Sequence, residues 1–243
     1  MMRVKSTIKK LVKAPLRAMG LDLVRVEKHR FQPAEENRHR WWQSLAIRTV
    51  LDIGANEGQF AGQIGEILPE ARIYAFEPLA EPFAKLSATA RPNLRAFRYA
   101  IGETNGTIGM HKNEYSPSSS LLTMTDLHRQ SFPGTSIERP EEVEMKTLDD
   151  IAAQLALEPN ILVKMDVQGY EGKVIAGGRE ILAKTKIVIV ETSFETLYEG
   201  QPLFDDIYRI LTGMGFRYIG SMGQLKSVQD GRVLQADSMF LRD

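Results

Sequence analysis

Residues Thr49 to Leu68 constrain what this chain can fold into more than any other stretch. They read Thr49-Val50-Leu51-Asp52-Ile53-Gly54-Ala55-Asn56-Glu57-Gly58-Gln59-Phe60, then Ala61-Gly62-Gln63-Ile64-Gly65-Glu66-Ile67-Leu68. The β-branched and aliphatic start suits a buried strand. Gly54, Asn56 and Gly58 suit a tight turn, and Phe60, Ile64 and Ile67/Leu68 then fall at helical spacing. Strand, glycine-rich turn and helix is the form of a nucleotide-cofactor loop. Gly54 lets the backbone turn sharply and approach a ligand with no Cβ in the way. Asn56 tolerates a left-handed conformation, and Gly58 lets the helix pack close to the strand. The helix N-terminus offers unpaired N–H groups to a carboxylate or phosphate. Asp52, ending the strand, is placed to fix the loop or to meet a cationic ligand.

The spacing D-x-G-x-N-x-G is not the dinucleotide G-x-G-x-x-G, and a glycine turn after a strand is common by itself. The next strand sharpens it. Arg72-Ile73-Tyr74-Ala75-Phe76 ends in Glu77-Pro78. An acid ending the second strand, roughly 20 residues beyond the loop, is where a ribose diol is held. Pro78 has no N–H and stops the strand.

Two more apolar runs end in acids. Ile161–Met165 reads as a fourth buried strand ending at Asp166; Gly169 follows and Glu171 opens a helix. Lys186–Val190 reads as a fifth strand ending at Glu191. In an open α/β sheet the carboxyl ends form one rim, and ligands bind outside it. Asp52, Glu77, Asp166 and Glu191 therefore crowd one rim, where chance would scatter them. Carboxylates near one another raise one proton affinity toward usefulness. Asp166 is the first candidate for a general base and Glu191 the second, with Lys164 orienting or neutralising. The plain structural alternative is that Asp166 caps the helix after it.

Asp52-Ile53-Gly54-Ala55-Asn56-Glu57-Gly58, Phe76-Glu77-Pro78 and Lys164-Met165-Asp166-Val167-Gln168-Gly169-Tyr170-Glu171 together resemble the FkbM family of S-adenosylmethionine-dependent methyltransferases. The resemblance runs from about Thr49 to Leu241. It implies a class I methyltransferase fold of the α/β, Rossmann-like kind. The sheet is mostly parallel, with a C-terminal antiparallel strand hairpin and helices on both faces. The resemblance implies S-adenosylmethionine as cofactor, bound by Asp52, Gly54, Ala55, Asn56, Gly58, Glu77, Pro78 and Asp166, with Ala100 and Ile101 against the adenine. The implied reaction is O-methylation of a sugar, glycolipid or natural-product hydroxyl, in polysaccharide or natural-product pathways. The family often carries Glu where this chain has Gln168, which argues against a direct catalytic or metal role at that position. Ser119-Ser120-Leu121 resembles a smaller family motif.

The remaining elements follow from period and punctuation. Ala80–Ala90 reads as a helix and Asn93–Tyr99 as a third strand, leading into a turn at Ala100-Ile101-Gly102. Gly106–Lys112 alternates weakly and pairs with the clearly alternating Glu142–Lys146. Between them, residues 113–140 lose periodicity and read as a lid or flexible loop on the substrate side. Thr147 is placed to cap a helix, with Asp150 three residues on. Pro202–Met214 reads as a helix, and Phe216–Ile219 and Ser238–Leu241 as the closing hairpin. Residues 1–48 form a separate arm ahead of a domain over 49–243. The arm's start is rich in Lys and Arg, with Val4, Ile8, Leu11, Val12, Leu16 and Met19 at helical spacing. It reads as a basic amphipathic helix, either a peripheral membrane anchor or a helix packed on the domain or on a second subunit of a homo-oligomer. Gln32–Arg48 reads as another helix, anchored by Trp41 and Trp42.

Composition narrows the classes. The chain has 243 residues, 43% of them hydrophobic, enough for a full core. The absence of cysteine removes disulfides, thiol catalysis and cysteine metal sites, and favours a cytoplasmic setting. Lys+Arg and Asp+Glu are both 31, so net charge points to no nucleic-acid partner. His29, His39, His111 and His128 lack ligand spacing, so no histidine metal site is expected. His111 and His128 flank or sit in the lid, where one is a candidate substrate-side base; the plainer alternative is that they are solvated. The expected partner is a small-molecule or glycan acceptor. Two alternatives stay open: a non-catalytic binding protein on the same fold, and an NAD-dependent oxidoreductase, against which the missing G-x-G-x-x-G argues.

Overall fold

A computed structural model describes residues 39–89, 91–113, 116–132, 135 and 138–243. The expected basic helix before Gly20, the start of the Gln32–Arg48 helix and His29 lie outside the described residues.

The central feature is a seven-stranded sheet. Its strands are β1 (Thr49–Ile53), β2 (Arg72–Phe76), β3 (Leu94–Phe97), β7 (Ile161–Met165), β8 (Thr185–Ser193), β9 (Arg217–Lys226) and β10 (Val233–Leu241), in the order β3-β2-β1-β7-β8-β10-β9. The first five are parallel, and β10 runs antiparallel to both β8 and β9. Every residue of β1 and β7 is buried, because helices cover both faces and both sides of each strand must be largely apolar. Leu51, Ile53, Val163 and Met165 pack on one face with α5 (Leu148–Ala152), α6 (Glu171–Ala176), α7 (Arg179–Lys184) and α8 (Phe204–Gly213). Val50 and Leu162 pack on the other with α1 (Arg40–Ser44) and α2 (Gln59–Ile67). On that second face, α3 (Ala80–Ser87) sets Leu86 against Ala55 and Ala75.

A second sheet has β4 (Ala100–Gly102), β6 (Glu138–Thr147) and β5 (Gly106–Asn113), in the order β4-β6-β5. The expected β5–β6 pairing is present, with Ile108 opposite Val143. Ala100–Gly102, expected as a turn, is instead a short strand parallel to Met145–Thr147. Three residues are too few to show a period, and the pairing partner lies some forty residues away. The described residues of the 113–140 segment are also more structured than their sequence suggests. Ser116–Ser118 form a 3-10 turn and Asp126–Ser131 form α4, capped by the Thr125 side chain. Single bridges pin Ser120 to His111 and Met124 to Tyr198. Thr147 caps α5, accepting from Asp150 N–H, but Asn105 rather than Asp150 accepts from the Thr147 amide.

Trp42 is the buried residue of α1, while Trp41 is half-exposed and meets it edge-on at 4.8 Å. No helix among the described residues is long and apolar enough to cross a membrane.

Candidate active site

Chain order along the sheet reverses between β1 and β7. β2 and β3 extend one way and β8 the other. That switch point opens a crevice at the carboxyl ends. The loop from β1 to α2 lies there. Gly54 and Ala55 both donate to the Phe76 carbonyl at 3.0 Å, and Gly58 donates to Ala55 at 2.8 Å. Gly54, Asn56 and Gly58 are all left-handed, with φ of 78°, 48° and 93°. A cavity of about 500 Å³ opens onto this turn, within the ~300–1,000 Å³ range of small-molecule sites.

One end of the cavity fits an adenosyl group. Glu77 Oε2 accepts from Asn56 N–H at 3.0 Å and Oε1 from Leu79 N–H at 2.8 Å. The carboxylate is 5% exposed and is held rigidly at the cavity wall, with lone pairs left for a diol. Pro78, Ala100, Ile101 and Met110 supply an apolar surface beside it. Burial pushes the Glu77 carboxyl up to about 7, against the pull of the Leu79 and Asn56 amides. A diol binds the charged form more tightly. Affinity for S-adenosylhomocysteine is therefore expected to rise between pH 6 and pH 8. In Glu77→Gln, calorimetry should show binding weakened about tenfold or more, without the part of the pH dependence centred near 7.

The other end is charged. Asp52 and Lys164 are register partners on β1 and β7 and share a face. Asp52 is fully buried, and among the described residues neither carboxylate oxygen has a hydrogen-bond partner of good geometry. Burial pushes its carboxyl up to about 6, and the Lys164 charge, with the Ala61 amide as the backbone group, holds it from rising further. Lys164 Nζ meets Asp166 Oδ2 at 2.9 Å and lies 5.5 Å from the Phe60 ring centre. Burial opposes the lysine charge, but Asp166 and Asp52 outweigh it and raise the Lys164 pKa. Asp166 Oδ1 accepts from Gln168 Nε2 at 2.8 Å. The same amide donates to Glu191 Oε2 at 2.7 Å, and Gln235 Nε2 donates there at 2.7 Å too. Glu191 Oε1 has no hydrogen-bond partner among the described residues. Burial, then the Asp166 and Glu171 charges, push the Glu191 carboxyl well above the usual carboxylate range. Asp237 faces the same cavity, opposite Glu191 in register, and burial raises it as well. The excess of carboxylate over Lys164 suits a cationic ligand, and Asp52 has the Lys164 charge and the Ala61 amide against its burial.

Asp52, Gly54, Ala55, Asn56, Glu77, Pro78, Ala100, Ile101, Lys164, Asp166 and Glu191 thus converge on one cavity. Gly58 does not line it. It is the N-cap residue of α2, with Leu86 packed over it. Glu191, expected at a strand end, lies inside β8. Neither Trp41 nor Trp42 reaches the cavity. Gln235 and Asp237 were missed, although polar residues at alternate positions of an apolar strand carried a signal. His128, expected to be solvated, is 2% exposed and lies at the cavity wall. Burial lowers its pKa to about 4.

A switch-point crevice with a glycine turn, an acid at the end of β2 and the antiparallel β9–β10 close defines a class I methyltransferase, built around an S-adenosylmethionine-type methyl donor. The Methyltransferase FkbM domain matches residues 52–218, and the chain belongs to that family. It is 35% identical to the 2-O-methyltransferase NoeI of Sinorhizobium fredii, over 63% of this chain and 66% of that protein. It is 23% identical to the 31-O-demethyl-FK506 methyltransferase FkbM of Streptomyces tacrolimicus, over 72% of this chain and 75% of the relative. The chain thus spans just under two thirds of NoeI. Among solved structures, a methyltransferase FkbM from Methylobacillus flagellatus superposes with a TM-score of 0.49 at 12% identity, covering 80% of this chain and 43% of that one. Family membership displaces the nicotinamide dehydrogenase alternative.

Proposed function

We propose that the protein transfers a methyl group from S-adenosylmethionine to a hydroxyl of a sugar, glycolipid or natural-product acceptor. The observation that carries this reading is the placing of Glu191, a carboxylate of raised proton affinity with one free oxygen, in the same cavity as Glu77 and the glycine turn. The names of the relatives, both O-methyltransferases, support the choice of oxygen as the atom methylated. S-adenosylmethionine supplies an electrophilic methyl on a sulfonium. Glu77 holds its ribose hydroxyls, and Asp52 with Asp166 offsets its positive charge. Methyl transfer is an in-line displacement, so the protein contributes mainly alignment and exclusion of water.

The acceptor hydroxyl must lose its proton, and Glu191 Oε1 is the better placed base. Both oxygens of Asp166 are already engaged, by Lys164 and Gln168. Asp166, the first candidate from sequence, becomes the group that anchors Lys164. A test uses methyl-labelled S-adenosylmethionine with panels of hydroxylated sugars and glycolipids. Label should appear as an O-methyl group. Glu191→Gln should lose about 10²–10⁴ in rate while S-adenosylhomocysteine still binds. Full activity in Glu191→Gln would remove it as the base, and cofactor binding without transfer to any hydroxyl would favour a binding protein.

A further inference from the structure

Gln168 stands where the family often carries Glu, and its surroundings are unusually complete. Its backbone is left-handed, with φ of 52°. Its carbonyl accepts from Ser120 Oγ at 2.6 Å, so the segment that precedes α4 holds it in place. Its side-chain amide touches two carboxylates. Carboxylates only accept hydrogen bonds, so the end facing them must be the NH₂. Both N–H bonds are then used, one on Asp166 and one on Glu191.

This orientation turns Gln168 Oε1 toward Tyr198, whose hydroxyl donates to it at 2.8 Å. With its proton committed, the Tyr198 oxygen can only accept from His128 Nε2, 3.1 Å away. His128 Nδ1 lies 3.3 Å from Thr135 Oγ1. Tyr198 is fully buried and His128 nearly so; a neutral imidazole with Nε2–H donates to Tyr198, while the Thr135 hydroxyl donates to the Phe132 carbonyl at 2.8 Å and the Ser118 carbonyl lies 3.4 Å from the Tyr198 oxygen. The geometry points to Gln168 as a positioning residue that ties Asp166 and Glu191 together and keeps Glu191 available as an anion, with Tyr198 holding the far end of its amide in place. This rests on the reading of Glu191 as the base.

An amide suits the task because it supplies two donors and no charge. Glutamate at 168 would add a third carboxylate within hydrogen-bonding distance of two others, and like charges would force a proton onto the cluster. The other charged groups facing Glu191 are Asp166 and Lys164 from β7 and its end, Glu171 from α6, and Asp237 from β10. Only Lys164 is positive, so a neutral donor such as Gln168 matters to the balance. The two carboxylates set which end of the amide faces them, and the Tyr198 hydroxyl on Oε1 holds that amide in place. Losing the hydroxyl removes the partner of Oε1, so the amide is held less firmly on Glu191 and stabilises its anion less.

The test uses the full chain with Tyr198→Phe and, separately, Gln168→Glu. The first readout needs no acceptor: carboxyl ¹³C NMR titration of labelled glutamates, with Glu191 assigned through Glu191→Gln. The Glu191 midpoint should rise by about half a pH unit or more in Tyr198→Phe and by about one in Gln168→Glu. The second readout is the acid limb of kcat in methyl transfer. It should move in step, with the rate recovering above it and KM little changed. An unmoved midpoint in both folded variants would overturn the assignment, as would a rate loss equal at every pH. Shifted midpoints without methyl transfer by the unsubstituted chain would leave Gln168 as the positioning residue and sink the proposed reaction instead.

Discussion

Gly54→Ala is expected to abolish cofactor binding and to lower stability by about 3–5 kcal/mol. A Cβ at position 54 would lie 1.9 Å from the Asp166 carbonyl oxygen and 2.8 Å from its carbon. Both are backbone atoms, so relief requires β1 and β7 to separate at the switch point. That movement would displace the loop that carries Asn56 and, through it, the Asn56–Glu77 hydrogen bond. The left-handed backbone of Gly54, φ 78°, adds about 1–2 kcal/mol for any residue with a Cβ. Gly58→Ala provides the contrast. Its Cβ would meet the Leu86 Cδ1 methyl at 2.9 Å, the end of a side chain that can turn. Its cost should be about 1–2 kcal/mol, mostly backbone strain, with binding weakened rather than lost. Thermal unfolding together with titration of S-adenosylhomocysteine would check both variants. Equal effects would show that the approach of Gly54 to Asp166 does not set the loop.

Lys164→Met is the second large effect, and it depends on pH. Lys164 is 7% exposed and is the cation beside Asp52, Asp166 and Asp237. Methionine keeps the volume but leaves buried carboxylates unpaired. Removing one partner of such a pair costs about 3–5 kcal/mol. Asp52, raised to about 6, and Glu77 and Glu171, each raised to about 7 chiefly by burial, bind a proton more tightly folded than unfolded. The stability that this proton binding contributes is therefore fully present below about pH 4 and is lost as pH rises through 6 to 7. The protein without ligand should be more stable near pH 5 than at pH 8. The Lys164→Met penalty should be largest at pH 8, about 10 °C in melting temperature, and should shrink toward pH 5 as the orphaned acids take up protons. An equal penalty at both pH values would show that Lys164 acts through packing alone.

Much of this site could be read along the chain. β1 and β7 are buried on both faces, so each announces itself as a mostly apolar run, and the acid that follows such a run lies at the sheet rim. Glu77 after β2 and Asp166 after β7 follow from that rule, whereas Asp52, expected to end its strand, is the penultimate residue of β1. Gly54 and Asn56 could be read because few other residues accept left-handed backbone. The order of candidate bases could not. Asp166 and Glu191 look alike in sequence, and only the positions of Lys164, Gln168 and Gln235 show whose oxygens are engaged. The solvated reading of His128 failed for the same reason, while its place on the lid side of the cavity was legible. A polar residue in a segment without period looks solvated, until Tyr198, seventy residues away, and Phe132 close over it.

The sequence by itself determined the strand–turn–helix loop, the strands of the parallel sheet, the closing hairpin and the carboxylate rim, because each depends on local period or on backbone conformations open to few residue types. Tertiary structure alone decided the short parallel strand at Ala100–Gly102, the polar column from His128 through Tyr198 to Gln168, and which carboxylate keeps a free oxygen. Those features depend on backbone or side-chain atoms brought within hydrogen-bonding distance from strands and loops far apart in the chain. No local pattern encodes such a meeting, because the free energy that favours it exists only once the sheet has placed the partners together.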